Sequence, residues 1–477
     1  MFEIKNSEKE YDIIVAGGGM AGVMSAIAAA RNNAKVLIID QNGYFGGSLT
    51  ACGVGPMMTF FAGEKQVIKG LGEELVQRMK ARDYSPGHIL DSTNFISYVT
   101  PFSAEGMKIV LDEMIEEAGC DVLFHTYMIG VDYKDDKITS LYLSNKNGVS
   151  KYHAKIFIDA SGDGDIANAS NVAMQVGREC DNAMQPMTMN LKLYGVDTTK
   201  LKAVVHEDPT RFPRLNRDIK VMDTTSRLSF IGFEKEFNEA KSRGEISIPR
   251  EDILFFETNI LGEVIMNTTR VINHNGVDAQ SISEAEMIAR KQCEELYHFV
   301  RKYIPGFENA QVAFSGPSIG MRSTRQIIGK YVLSAQDIIS RKKFTSTIAH
   351  SGYPIDIHNP KGEGTTAIHA SNKEINEQDA HAFDRSIFDD YYSIPFEVMM
   401  TNEYKNLLVC GRCVSASFEA QAAIRLTPTI TAMGQACGVA ATMALESENV
   451  NDVNIAKLQD MLIQQGSYIE KYTDLEA

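Results

Sequence analysis

Apolar and polar positions along the chain fall into blocks whose length and period separate strands from helices. Residues 11–16, Tyr-Asp-Ile-Ile-Val-Ala, form a short apolar run that predicts a buried strand. Gly17-Gly18-Gly19-Met20-Ala21-Gly22 follows, and the small and apolar residues 23–31 predict a helix. Residues 35–39 predict a second buried strand that ends at Asp40. Strand, glycine turn, helix, strand is a βαβ unit. Helices are predicted at 71–80 and 104–118, and strands at 122–126, 138–144 and 155–159. The stretch from 163 to 395 alternates strand-like and helical pieces and carries most of the turn clusters, with 359–364 reading as an exposed loop. Residues 406–411 predict one more buried strand, and Thr427-Pro428 opens a helix running to 445. Thr is a good N-cap and Pro suits the first helical turn. Core strands at both ends predict a discontinuous α/β domain, residues 1–190 and 395–477, with an α+β domain inserted at 191–394.

The glycine turn changes the picture from fold to chemistry. Gly17, Gly19 and Gly22 spell G-x-G-x-x-G, and Asp40 stands 18 residues after Gly22. That frame is the dinucleotide fingerprint. Gly17 permits the tight turn, Gly19 lets backbone approach a pyrophosphate, and Gly22 lets the helix pack against the strand. The helix N-terminus offers free N–H groups and partial positive charge to phosphates. Asp40 is suited to accept from ribose hydroxyls and would repel a 2′-phosphate. A second glycine turn, Gly43-Tyr44-Phe45-Gly46-Gly47-Ser48, lies just past Asp40 and suits a longer dinucleotide, FAD rather than NAD. Two further strand ends lead into turns, Asp159-Ala160-Ser161-Gly162-Asp163 and Val409-Cys410-Gly411-Arg412. A helix N-terminus at Thr427 aimed at a flavin would stabilise the negative charge gathered on reduction. Gly434, Ala436, Gly438 and Ala440 keep that helix slim.

Composition narrows the partners. The 477 residues carry 47 Lys and Arg against 62 Asp and Glu, a net charge of −15, which disfavours nucleic acid and anionic lipid surfaces. The polar start and the brevity of the apolar stretches at 26–30 and 436–445 argue against a secretory signal or membrane span, so the expected location is cytoplasmic. Seven cysteines are no disulfide framework. Cys410 and Cys413 have CxxC spacing, but no second pair or His pair accompanies them, so no metal site is expected. Gly162-Asp163-Gly164 and Gly53-Val54-Gly55 lack a third glycine and a strand–helix frame. No built-in NAD(P) domain is therefore expected, and the electron partner is left to a substrate, a diffusible carrier, oxygen or another protein.

The chain resembles the FAD-dependent oxidoreductases related to the fumarate reductase and succinate dehydrogenase flavoproteins, and within them a bacterial branch known mostly by sequence. Four stretches carry the likeness: residues 16–22 continuing to Gly46-Gly47, residues 159–165, Gly320-Met321-Arg322-Ser323-Thr324-Arg325-Gln326-Ile327-Ile328-Gly329, and residues 406–412 continuing to Gly434-Gln435-Ala436. Asp40 stands where many relatives carry Glu, and Cys410 where a small residue is commoner. The likeness implies a Rossmann-like, glutathione-reductase-like FAD domain. It implies cofactor contacts at Gly17, Gly19, Met20, Ala21, Gly22, Asp40, Gln41, Gly46, Gly47, Ser48, Ser161, Gly162, Asp163, Gly411, Arg412, Thr427, Thr429 and Ile430.

The isoalloxazine carries the hydride chemistry, so the protein must grip the substrate and handle a proton. Arg grips a carboxylate bidentately. Arg322 and Arg325 share a face if their segment is helical, and Arg425 just precedes the flavin-facing helix. In fumarate reductase-like relatives an Arg in a similar stretch grips a substrate carboxylate. His350, His358, His369 and His381 cluster in one window, and His358 shares a side with Asp356 if the run is extended, which suits proton transfer near neutral pH. The expected activity is hydride exchange between flavin and a small carboxylated or hydroxylated metabolite. Two alternatives stay open: a flavin-linked thiol–disulfide oxidoreductase using Cys410 and Cys413, and a non-enzymatic flavin-binding protein.

Overall fold

A computed structural model describes residues 4–215, 219–368 and 389–472. His369 and His381 lie outside them. The central sheet has five parallel strands: β1 Tyr11–Ala16, β2 Val36–Ile39, β3 Asp121–Leu123, β4 Ala154–Asp159 and β5 Leu407–Val409, in spatial order β5-β4-β1-β2-β3. A parallel sheet is covered on both faces, which is why these strands read as unbroken apolar runs. The alternation is preserved in space. Ile13, Val15, Val36, Ile38, Ile156, Ile158 and Leu408 enter one core. Ile14, Ala16, Leu37, Ile39, Phe157, Leu407 and Val409 enter the other.

The first face is covered by α1 Met20–Arg31 and α2 Thr427–Met443, which pack on each other. Their contact is nearly backbone to backbone. A Cβ on Gly434 would lie 2.6 Å from the Ala21 carbonyl oxygen, and one on Gly438 would lie 2.1 Å from that of Ser25. Ser25 Oγ donates to Ala21 O at 2.8 Å and Gly434 O at 3.0 Å, clamping the helices. The second face is covered by an antiparallel meander, Tyr127–Lys134, Lys137–Asn145 and Gly148–Tyr152, through Ile138, Leu141 and Leu143. This is the Rossmann-like FAD-binding fold, mixed α/β around a parallel sheet.

A second, antiparallel five-stranded sheet has the order Ser229–Gly232, Ile253–Glu257, Val264–Met266, Leu191–Tyr194, Gln311–Ser315. The 25-residue helix Ala279–Tyr303 supplies Ala285, Ala289, Leu296 and Phe299 to its core. That core is drawn from residues between Met187 and Ile319, whereas Leu333, Ile338, Ile348 and Ile355 join the first core of the central sheet. Among the described residues no helix is long and apolar enough to cross a membrane.

The segment holding Arg322 and Arg325 is not helical. Arg325 begins the strand Arg325–Ile327, and Arg322 lies in the irregular stretch before it. The two side chains therefore go to different neighbours. Cys410 packs in the first core and Cys413 in the other, on opposite sides of the sheet end, both fully buried and unbridged.

Gly438→Ala is expected to lower the urea midpoint, with overpacking costing on the order of 1–3 kcal/mol. Gly362→Ala, whose new Cβ would meet nothing nearer than 3.9 Å, is the control and should stay within about 0.5 kcal/mol of the parent.

Candidate functional site

The C-terminal ends of β1, β2, β4 and β5 each run into a turn, and these turns form the floor of one cavity of about 580 Å³. Ligands of open α/β sheets bind at this edge. Gly17, Gly19, Met20 and Ala21 line the cavity after β1, and Asp40, Gln41, Gly46, Gly47 and Ser48 after β2. Ser161, Gly162 and Asp163 line it after β4, and Gly411 and Arg412 after β5. Thr427 and Ile430 line it from the start of α2. These predicted positions are thus drawn together from both ends of the chain.

Two glycine positions explain the tight floor. Gly17 has φ +110° and a Cβ there would sit 2.3 Å from the Ala160 carbonyl oxygen. A Cβ on Gly47, at φ +55°, would lie 2.9 Å from the Gly19 Cα, so the two glycine turns are in backbone contact. Asp40 ties them further. Its Oδ2 accepts from the Gly18 N–H at 2.6 Å, and its Oδ1 accepts from the backbone and side-chain nitrogens of Asn42 at 2.7 and 3.0 Å. Burial raises the Asp40 carboxyl above its ordinary range, and the Asn42 and Gly18 N–H groups oppose the shift.

Both helices that point at the cavity start without a side-chain cap. α1 begins after Gly19, and α2 begins after Leu426 with Pro428 in its first turn. Their first N–H groups are therefore left for a ligand. The glycine floor, the uncapped α1 terminus and the Asp40 carboxylate fit the adenosine diphosphate part of a dinucleotide, and the α2 terminus fits the electron-rich edge of a flavin.

Three predicted contacts do not line the cavity. Gly22 packs α1 onto the β1 turn, where a Cβ would meet Gly17 O at 1.8 Å. Thr429 turns its hydroxyl to Ser351 Oγ at 2.9 Å. Arg325 reaches the Asp163 carbonyl and the Asp165 carboxylate, both at 3.3 Å, from behind the β4 turn. Arg412 is in the wall and pairs with Asp163 at 2.6 Å.

The opposite wall holds Arg322, Tyr353, Asp356, His358 and Arg425. Arg322 Nη1 donates to Pro186 O at 2.5 Å and Thr188 Oγ1 at 2.6 Å, and no carboxylate lies within ion-pair distance among the described residues. Burial, with Arg425 and Arg270 nearby, pushes its guanidinium down to about 9. Arg425 Nη2 lies 3.8 Å from Asp356 Oδ2, and its buried Nε has no hydrogen-bond partner. Asp356 Oδ2 also accepts from Tyr353 Oη at 3.1 Å and lies 3.5 Å from His358 Nε2. Burial favours the neutral Asp356 acid, but His358, Arg425 and Arg322 outweigh it and hold the carboxyl well below the usual range.

His358 differs from the expected neutral-pH proton carrier. The wholly buried Arg270 donates from Nη2 to His358 Nδ1 at 3.1 Å, which assigns the imidazole proton to Nε2, toward Asp356. Burial and the Arg322 charge push the imidazole down to about 3, so it is neutral at pH 7.

Sequence reasoning missed Tyr353, Arg270, Thr188, Asn190 and Asn267. Tyr353 stands three residues from Asp356 and carried a local signal. Thr188, Asn190 and Asn267 reach the wall from the inserted sheet region, where nothing in their surroundings marks them.

The family model described as FAD dependent oxidoreductase matches residues 12–462. Cinnamate reductase of Clostridium sporogenes is 38% identical over 53 residues, 11% of this chain and only 8% of that protein. An uncharacterized protein in the nifH2 5′ region of Methanosarcina barkeri is 23% identical over 184 residues, 36% of this chain and 92% of that one. A geranylgeranyl bacteriochlorophyll reductase-like structure from Thermoplasma acidophilum has a TM-score of 0.49 at 12% identity, covering 96% of this chain and 84% of that one. The p-nitrophenol 4-monooxygenase of Pseudomonas putida has a TM-score of 0.44 at 8% identity, covering 97% and 84%. Since the family match runs from residue 12 to residue 462, through the inserted sheet as well as the glycine turns, the chain belongs to the FAD-dependent oxidoreductase family.

Proposed function

We propose that this FAD-dependent oxidoreductase exchanges hydride with a small carboxylate, without a built-in nicotinamide domain. One observation carries the reading. Two mostly buried guanidinium groups, Arg322 and Arg425, line the cavity together with one carboxylate, Asp356, which lies 3.8 Å from Arg425, and the buried Arg270 stands behind them against His358. Buried charge is costly unless paired. Burial and the neighbouring Arg250 push Arg270 down to about 10, as burial and its neighbours do for Arg322. An anion placed beside Arg322 and Arg425 relieves both.

FAD, when bound, supplies the hydride exchange. The chain's own groups do the rest. Arg322, braced by Pro186 O and Thr188 Oγ1, presents its remaining edge to a carboxylate. Arg425 follows in the wall from the end of the short helix Phe418–Ile424, just before α2. The Tyr353 hydroxyl keeps its proton and donates it to Asp356 Oδ2 in a hydrogen bond, and this pair is the proton-bearing group beside the reacting atoms. Neutral His358, fixed by Arg270, positions Asp356 rather than carrying the proton. The place of Arg425 before α2 supports kinship with the fumarate reductase-related branch. The thiol–disulfide alternative loses its support, because burial pushes the Cys413 thiol well up, a hydrogen bond to Cys437 together with burial does the same to Cys410, and neither lines the cavity.

The decisive experiment titrates the FAD-loaded protein with acetate and propionate and follows the flavin spectrum. Arg425→Met should weaken carboxylate binding roughly 10- to 100-fold, the worth of a charge-assisted hydrogen bond, with FAD content unchanged. Equal affinity for propionate and propionamide in the parent protein would overturn the reading.

Asp40→Ala should raise the FAD dissociation constant about tenfold or more, since it frees the Gly18 N–H as well as removing a ribose acceptor, while Asp40→Glu retains most affinity.

A His held neutral down to about 3 binds fewer protons folded than unfolded between there and its ordinary range, so its contribution to stability is lost as pH falls below about 6.5. The cost at pH 5 is about 2 kcal/mol. His358→Gln should flatten the fall in melting temperature between about pH 7 and pH 5 relative to the parent, read by scanning fluorimetry.

A further inference from the structure

A second, smaller chamber adjoins the main cavity and shares Met58, Asn267, Tyr353, Asp356 and His358 with it. Its volume is about 150 Å³. Apolar protein cavities of roughly that volume accept one benzene-sized ring. The chamber lies between residues 91–95 and the inserted sheet. On the strand Ile253–Glu257, Ile253 and Phe255 belong to the sheet's own core, Phe256 lines the chamber, and the half-buried Leu254 lines it while also packing against that core. Phe95 and Ile231 complete an apolar wall. Phe256 is only 4% exposed and lines the chamber.

The charges of this chamber differ from those of the main wall. Arg214 and Arg250 both reach Asp252, at 2.5 and 2.9 Å, so their charge is shared with a buried carboxylate. Asp91, 2% exposed, accepts from the Thr93 hydroxyl through Oδ2, and its Oδ1 has no hydrogen-bond partner. A second carboxylate entering here would meet Asp91 and no uncommitted cation comparable with Arg322. The main wall therefore selects an anion, and the side chamber selects against one.

We propose that the side chamber receives the uncharged, ring-sized end of a monocarboxylate substrate, an aryl or cycloalkyl group, whose carboxylate lies against Arg322 and Arg425. The reacting carbons then lie between them, beside Tyr353 and Asp356. This rests on the carboxylate reading above and adds what that reading leaves open: the far end of the substrate is apolar, and dicarboxylates are disfavoured.

The test uses the FAD-loaded protein and the flavin spectrum, with 3-phenylpropionate, propionate, succinate and 3-phenylpropionamide as probes. 3-Phenylpropionate should bind roughly tenfold or more tightly than propionate, and succinate no more tightly than propionate. Leu254→Trp, which fills the chamber, should weaken 3-phenylpropionate about tenfold and leave propionate within about twofold. Ala367→Phe fills it from the opposite wall and should give the same pattern, which covers the case in which the Trp variant fails to fold. A 3-phenylpropionate affinity no better than that of propionate, a preference that survives both filling variants, tightest binding of succinate, or no spectral response to any acid overturns the proposal. If 3-phenylpropionamide binds as tightly as the acid while the filling variants still abolish binding, the carboxylate reading has failed and the ring chamber has not.

Discussion

The Asp40 carboxylate and the N–H of Gly18, 2.6 Å apart, join the end of β2 to the turn after β1. That contact decides how the cradle is built. It draws the first glycine turn against the second until Gly19 and Gly47 touch through backbone alone. Neither turn has room for a side chain there, and both leave N–H groups toward the cavity. The carboxylate thus holds the turn while lining the cavity. A buried carboxylate is tolerable because N–H donors from Gly18 and Asn42 satisfy it on the protein side.

The opposite wall is organised by the contrary arrangement, buried cations in excess of buried anions. Arg270 is held by the carbonyl oxygens of Gly362 and Gly364, by Thr365 and by His358, and Arg322 by Pro186 and Thr188. Carbonyls and hydroxyls orient a guanidinium without neutralising it. The wall keeps its positive potential for a ligand while its geometry is set in advance, the arrangement that a preorganised binding site requires. Asp163 beside Arg412 and Asp252 beside Arg214 and Arg250 show the other option, in which the charge is shared within the protein.

Much of the cofactor side was legible in the residues. Gly17, Gly19 and Asp40 are bound by local rules: a turn at positive φ, a strand end and a helix start lie within one βαβ unit, so spacing alone locates them. The opposite wall obeyed no such rule. The Arg322–Arg325 spacing suggested a shared helical face, but an irregular stretch passing into a strand sends the two side chains to Pro186 and to Asp165. His358 stands beside Asp356 as its spacing suggested, yet which of its nitrogens carries the proton is set by Arg270, 88 residues away.

What the amino-acid order determined by itself is the parallel sheet, the glycine cradle and hence the cofactor, because each follows from contacts within a short stretch of chain and from the period of its apolar residues. Only the folded chain decided which guanidinium groups are left without a carboxylate, which imidazole nitrogen bears the proton, and that Leu254 and Phe256 line a chamber. Those are properties of burial and of partners far apart in sequence, and burial is what converts an ordinary Arg, His or Asp into a group with a specific charge and a specific task.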